Sequence, residues 1–407
     1  MEMTTGFAKP LEPGTGVLAH VTSLPGPCFG DDTRRFIDLL AEAGVRYWQI
    51  LPLNPTDPYG SPYAGISAFA GNASLLNNDD AVAISDASAE TAFQDFCERE
   101  HSWLDQYAAF MQERSGADPD VTRRAQFAFD RSWLDLRAYA NERGVQIIGD
   151  LPIYVGSDSA DVWAHPELFQ LDENGNPAII AGCPPDDFAP EGQRWGNPIY
   201  DWDAMAQHGY SWWIDRLRRA FELYDIVRLD HFIGFAHYYS IPADRPATEG
   251  FYRPGPGIEL FRQAHAELGP LPVIAEDLGY VTDEVRQLVA DCGFAGMSVV
   301  QFTDDPLRDY SPPANTIAYS GTHDNQTLIG YCQSRYPERD PRETADILLS
   351  SVRDCAAPIR VFPLQDLLGL GDEARMNTPG TTEGNWTWRL DELDESLQKA
   401  LRRIATT

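Results

Sequence analysis

YDIVRLDHFIGF, residues 224–235, opens as an apolar strand and closes on charge. Ile226, Val227 and Leu229 read as a buried segment, yet Arg228 sits inside it and Asp230 and His231 follow at once. A buried ion pair is a poor source of stability, because desolvating both charges offsets most of their attraction. In parallel barrels, by contrast, reacting groups sit where strands end.

Seven further runs share the stretch's β-rich character: 16–21, 46–53, 145–153, 272–277, 297–302, 316–320 and 359–364. Helical periodicity fills intervals between them, as in 31–44, 209–224 and 282–293. Continuous apolar strands alternating with helices predict a parallel sheet covered on its faces. Eight such strands predict an α/β (β/α)8 TIM barrel. An open nucleotide-binding sheet is the weaker alternative, since neither GxGxxG nor a Walker sequence occurs. Residues 77–144 and 154–208 are too long for plain connections. They read as helical and loop insertions on the C-terminal face of one catalytic domain spanning 1–407.

A net charge of −31 argues against nucleic acid, whose phosphates would be repelled. Only two of the 31 basic residues are lysines, Lys9 and Lys399. This balance fits a surface adapted to strong salt, where mutual repulsion is screened. No run of about 18 apolar residues offers a membrane span, and MEMTTGFAKP lacks a basic-then-apolar leader. A cytoplasmic location is expected. The six cysteines lie far apart, without zinc or redox spacing, so free thiols are expected.

Polar residues gather at the strand ends. Asp150 ends one run, Asp230 and His231 another, and Glu276 and Asp277 a third; His323 and Asp324 follow a fourth. A single carboxylate there is often a helix N-cap, but four such ends point to a converging acidic site. One chemistry is metal-assisted hydrolysis through His20, Asp230, His231, Glu276 and His323, although no HxH or HExxH pair supplies local chelation. The other is glycosyl transfer, in which one ionised carboxylate attacks and one protonated carboxyl acts as acid. Arg228 suits the second reading: its cation would hold Asp230 ionised while a less paired Glu276 keeps its proton. The aromatic stretches 57–72 and 195–202 add Tyr63, Trp195, Tyr200 and Trp202 as candidate faces for pyranose rings.

These residues bring a family into view. The chain resembles the 4-α-glucanotransferases of the amylomaltase type, glycoside hydrolase family 77. The resemblance runs almost end to end through HVTSLPGP (20–27), QILPLNPTDPYGSPYAGISAFAGN (49–72), GDLPIYVGSDSADVWAHPELF (149–169), GCPPDDFAPEGQRWGNPIYDW (182–202), RLDHFIGF (228–235), IAEDLG (274–279), GTHDNQT (321–327) and residues 363–390. It implies Asp230 as nucleophile, Glu276 as acid/base and Asp324 as a third carboxylate gripping sugar hydroxyls. Arg228 would orient Asp230, while His231 and His323 would bond the same sugar and Tyr63 would stack on it. A loop carrying Asp186 and Trp195 would close over the acceptor. The implied substrates are maltodextrins, with neither cofactor nor metal, and the alternative outcome is a hydrolase using the same carboxylates. The chain departs from the family in being short, in Ile233 where arginine is common, and in lacking a histidine within 311–319.

Overall fold

The computed structural model describes residues 6–77, 87–185 and 189–405. Its strands, numbered along the chain, are β1 (Gly14–Leu18), β2 (Tyr47–Gln49), β3 (Gln146–Leu151), β4 (Ile179–Cys183), β5 (Gln193–Pro198) and β6 (Ile226–Leu229). They continue with β7 (His237–Pro242), β8 (Phe251–Pro254), β9 (Val273–Ala275), β10 (Gly296–Val299), β11 (Thr316–Tyr319) and β12 (Ile359–Pro363). Eight of these form one parallel sheet in the order β10-β11-β12-β1-β2-β3-β6-β9. The sheet closes on itself where the Ala275 amide donates to the Ala295 carbonyl at 2.8 Å, just ahead of β10. Each of the eight expected runs supplies one stave, and the (β/α)8 barrel is the fold.

Side chains alternate across a strand, so residues two apart share a face. Tyr47, Ile148, Ile226, Ile274, Ile317 and Val361 belong to one buried cluster inside the barrel. Val227 and Leu229 belong to the other large cluster, between staves and helices. Stepping two residues up from the inner layer gives Gln49, Asp150, Arg228, Glu276 and Tyr319. The strand period thus turns an apolar floor into a polar ceiling at the C-terminal end. Gly149 holds its place in β3 because a Cβ there would stand 2.1 Å from the Tyr224 ring.

Helix α1 (Asp31–Ala43) carries Asp31 and Asp32 in its first turn, where the helix dipole favours negative charge. It stops at Gly44, whose φ of 77° is the left-handed conformation that glycine adopts without penalty. Between β2 and β3 lie the long helices α2 (Ala87–Ser115) and α3 (Pro119–Glu142); Asp118 caps α3 through the amides of Asp120 and Val121. α4 (Ser211–Leu223) leads into β6, and α5 (Asp283–Cys292) follows β9. β5-β4-β7-β8 forms a separate antiparallel sheet. It draws β4 and β5 from the stretch after β3, and β7 and β8 from the segment after the Asp230 loop. The six cysteines form no disulfide among the described residues.

Candidate active site

Arg228 is the hub of the polar ceiling. Its Nη1 lies 2.7 Å from both carboxylate oxygens of Asp150 and 3.3 Å from Asp230 Oδ1. Its Nη2 lies 3.5 Å from Glu276 Oε2. The side chains of Arg228 and Asp150 are 3% and 0% exposed, whereas those of Asp230 and Glu276 retain 22% and 18%. Asp150 is therefore the buried counter-ion, and Asp230 and Glu276 are the carboxylates that solvent or substrate can reach. Arg228 reaches Asp230, but its closer partner is Asp150. The reason is register, since Asp150 and Arg228 are paired neighbours across β3 and β6.

Burial raises the pKa of Asp230 well above the usual carboxylate range, with the Glu276 charge next in weight and Arg228 opposing both. Glu276 is pushed up to about 7, mainly by burial, against Arg228 and the His231 amide. One cation facing several carboxylates cannot hold them all ionised, so Asp230 and Glu276 share a proton as a pair. Both contacts to Glu276 use Oε2: the His231 amide donates to it at 2.5 Å, alongside Arg228. Oε1 is left to carry the proton.

The turn after β6 is bent to make that contact. His231 has φ 47°, left-handed backbone for a residue with a side chain. The next amide, Phe232, donates to the Glu276 carbonyl at 3.0 Å. Two successive amides thus fasten the Asp230 loop to Glu276, the residue just past β9, which accounts for strain being retained here. The His231 ring meets Trp195 edge to face at 4.9 Å between centroids.

Across the cleft, Tyr63 donates to Asp150 Oδ2 at 2.8 Å. Its ring stacks on His323 at 5.0 Å and 12°, and Trp386 leans on both. Asp324 Oδ1 accepts from Asn377 Nδ2 at 2.6 Å, and Arg375 donates to its carbonyl at 2.5 Å. Burial lowers the pKa of His323, and that of His231 to about 4, so both rings are neutral near pH 7 and can donate or accept at a sugar hydroxyl.

Asp230, Glu276, Asp324, Tyr63, Trp195, Arg228, His231 and His323 therefore gather around one cleft. Asp186 lies outside the described residues. Tyr200 and Trp202 do not join the cleft: they are 0% and 9% exposed, and pack with Trp212 and Trp213 beneath the surface. Their interleaving with polar residues reflects a folded-back loop rather than a displayed face. Among the described residues, no three His, Cys, Asp or Glu side chains come together as a metal-ligand set.

Asn377, Arg375 and Trp386 are site neighbours that the sequence did not single out. Asp150 was read as a strand-end carboxylate, but not as the partner of Arg228. The other three come from the segment after β12, where no strand end marks them.

The fold and this cleft define a (β/α)8-barrel enzyme with carboxylate chemistry at its strand ends. Comparison with known proteins narrows the class. The chain belongs to the 4-alpha-glucanotransferase family, whose model matches residues 19–90 and 112–394. It is 39% identical to the 4-alpha-glucanotransferase of Streptococcus pneumoniae, covering 96% of both chains, and 39% identical to that of Thermus thermophilus, covering 96% of this chain and 97% of the other. The structure matches an amylomaltase from Streptococcus agalactiae, solved in complex with acarbose, with a TM-score of 0.88 at 33% identity over 97% of this chain and 98% of that one. The S. pneumoniae alignment runs over 486 positions against 407 residues here, so that relative carries segments this chain lacks.

Proposed function

We propose that the chain transfers α-1,4-glucan segments from a donor maltodextrin to the 4-hydroxyl of an acceptor glucan or glucose, by double displacement at Asp230 and Glu276. The observation that carries this is the placement of two half-buried carboxylates on one guanidinium, Asp230 on Nη1 and Glu276 on Nη2. In the first step Asp230 attacks the anomeric carbon as the glycosidic C–O bond breaks. The proton on Glu276 Oε1 passes to the departing oxygen. In the second step the acceptor hydroxyl attacks the same carbon, gives its proton to Glu276, and Asp230 leaves with the electron pair. Two inversions give retention, which requires the carboxyls to be about 5–5.5 Å apart.

Asp324, neutral His323 and His231 bond the reacting sugar, Tyr63 flanks it, and Arg228 orients Asp230. Trp195 and the loop carrying Asp186 face the acceptor. The stretches 77–144 and 154–208 wall the cleft as parts of one catalytic domain. Acarbose, bound by the S. agalactiae amylomaltase, is expected to inhibit here.

Among the described residues no helix is long and apolar enough to cross a membrane. With the −31 charge, this fits a cytoplasmic enzyme working in strong salt.

The test is maltotriose alone, following the products and the total reducing ends together. A ladder of longer maltodextrins with glucose, at constant reducing ends, is expected. Rising reducing ends without longer products would make water the acceptor and overturn the transferase reading.

A further inference from the structure

Large exposed apolar side chains are few among the described residues, and two of the eight stack on one another. Phe251 and Tyr252 lie on β8, at 46% and 39% exposure, and Tyr280 is 66% exposed. Tyr252 and Tyr280 stack at 6.1 Å between centroids, 29° from parallel. Exposed aromatic surface on a chain this acidic asks for an occupant.

The pair's position supplies one. Tyr280 stands four residues beyond Glu276, on the loop that leaves β9. The Tyr252 ring meets His237 edge to face at 5.1 Å. His237 opens β7 immediately after the Asp230 loop, and its Nδ1 lies 3.8 Å from Glu284 Oε2. The His231 ring packs on Trp195 at 4.9 Å. Ring pairs thus stand at both ends of the short segment after β6: His231 with Trp195 at the cleft, and His237 with the exposed Tyr252–Tyr280 stack at the edge of the antiparallel sheet. Asp283 and Glu284, which open α5, are 101% and 82% exposed and offer acceptors for hydroxyls. Flat rings carrying polar tips, flanked by solvated carboxylates, suit an oligosaccharide, which presents C–H faces ringed by hydroxyls.

We propose that Tyr252 and Tyr280 form an acceptor-side platform that holds a linear α-1,4-glucan several sugars beyond the scissile bond, so that long acceptors are preferred over glucose. The proposal rests on the transferase reading and extends it along the acceptor. Occupation by a second copy of the chain through the free edge of β8 is the competing outcome of the test.

The test uses α-maltosyl fluoride as fixed donor with glucose or maltoheptaose as acceptor, in wild type, Tyr280→Ala, Tyr252→Ala/Tyr280→Ala and Tyr280→Trp. Transfer by the wild type to either acceptor checks the underlying reading separately. The ratio of the maltoheptaose KM to the glucose KM is expected to rise about three- to ten-fold in the alanine variants, the scale of losing one or two ring contacts. Tyr280→Trp is expected to return it towards the wild-type ratio. Because Tyr280 is mostly exposed, Tyr280→Ala reports even if the double variant folds poorly. An unchanged ratio, or both KM values rising together, overturns the platform. So does a wild-type dimer in gel filtration that becomes a monomer in Tyr280→Ala with the ratio unmoved.

Discussion

Arg228 Nη1 lies 2.7 Å from each carboxylate oxygen of Asp150 and 3.3 Å from Asp230 Oδ1. The buried carboxylate occupies the guanidinium most tightly, and the reachable one borrows what remains. Removing one member of such a buried pair is severe, because the other is left charged in a dry place.

Asp150→Asn is expected to lower stability by about 3 kcal/mol or more, through the loss of Arg228's nearest counter-charge. It also frees Arg228 to act on Asp230 and Glu276 and removes a nearby negative charge, so the apparent pKa values of that pair fall. The alkaline limb of the kcat/KM profile should move to lower pH relative to wild type. Chemical denaturation and a pH–rate profile check the two effects; a limb that stays put would show that Asp150 does not set the charge balance of the site.

Glu276 is raised to about 7, and the acid step needs the proton it holds. Activity should fall as pH rises through about 7, where the shared proton is lost. Glu276→Gln should lower kcat roughly 10²–10⁴-fold and abolish that limb. A variant that kept wild-type turnover would remove Glu276 from the chemistry.

Two buried carboxylates away from the site shape stability against pH. Burial raises both Asp161 and Asp366 to about 6. Because the folded values exceed the unfolded one near 3.8, the protonated forms favour the folded state. That contribution is complete below about pH 3.8 and is lost as pH rises through about 6, roughly 3 kcal/mol for each group. Asp366 accepts from Ser320 Oγ and the Leu328 amide. Asp366→Asn can keep both contacts without a charge, so its Tm should exceed wild type at pH 8 and approach it at pH 5. A variant less stable at both would show that ionised Asp366 is what the fold uses.

The barrel was legible in the sequence because its signal is dense: each stave is a short apolar run ended by loop residues, and period-two alternation places Ile226, Arg228 and Asp230 on one face. Asp230, Glu276 and the His323–Asp324 turn follow from that rule and from the motifs around them. The antiparallel sheet was not read. β5 and β8 are edge strands with half-exposed side chains, and their residues, such as Gln193–Pro198, carry proline, glycine and asparagine rather than a hydrophobic pattern. Arg228's closer partner was not read, because Asp230 is two residues away in sequence, whereas Asp150 is its neighbour only through strand pairing.

With 62 acidic against 31 basic residues, the surface repels itself in dilute buffer. At about 1 M salt charges interact over only about 3 Å, so Tm and activity should rise between dilute buffer and molar KCl. A Tm that is maximal in dilute buffer contradicts the salt-adapted reading.

In the proposed mechanism Asp230 takes the glucosyl group covalently. α-Glucosyl fluoride needs no acid to leave, and Glu276→Gln lacks the base for the second step, so the intermediate should accumulate in that variant. Peptide mass spectrometry of the acid-quenched protein is predicted to find one hexose on the peptide bearing Asp230, absent when Asp230→Asn is added. A hexose on Asp324 or Asp150, or no adduct while fluoride is released, would contradict the account.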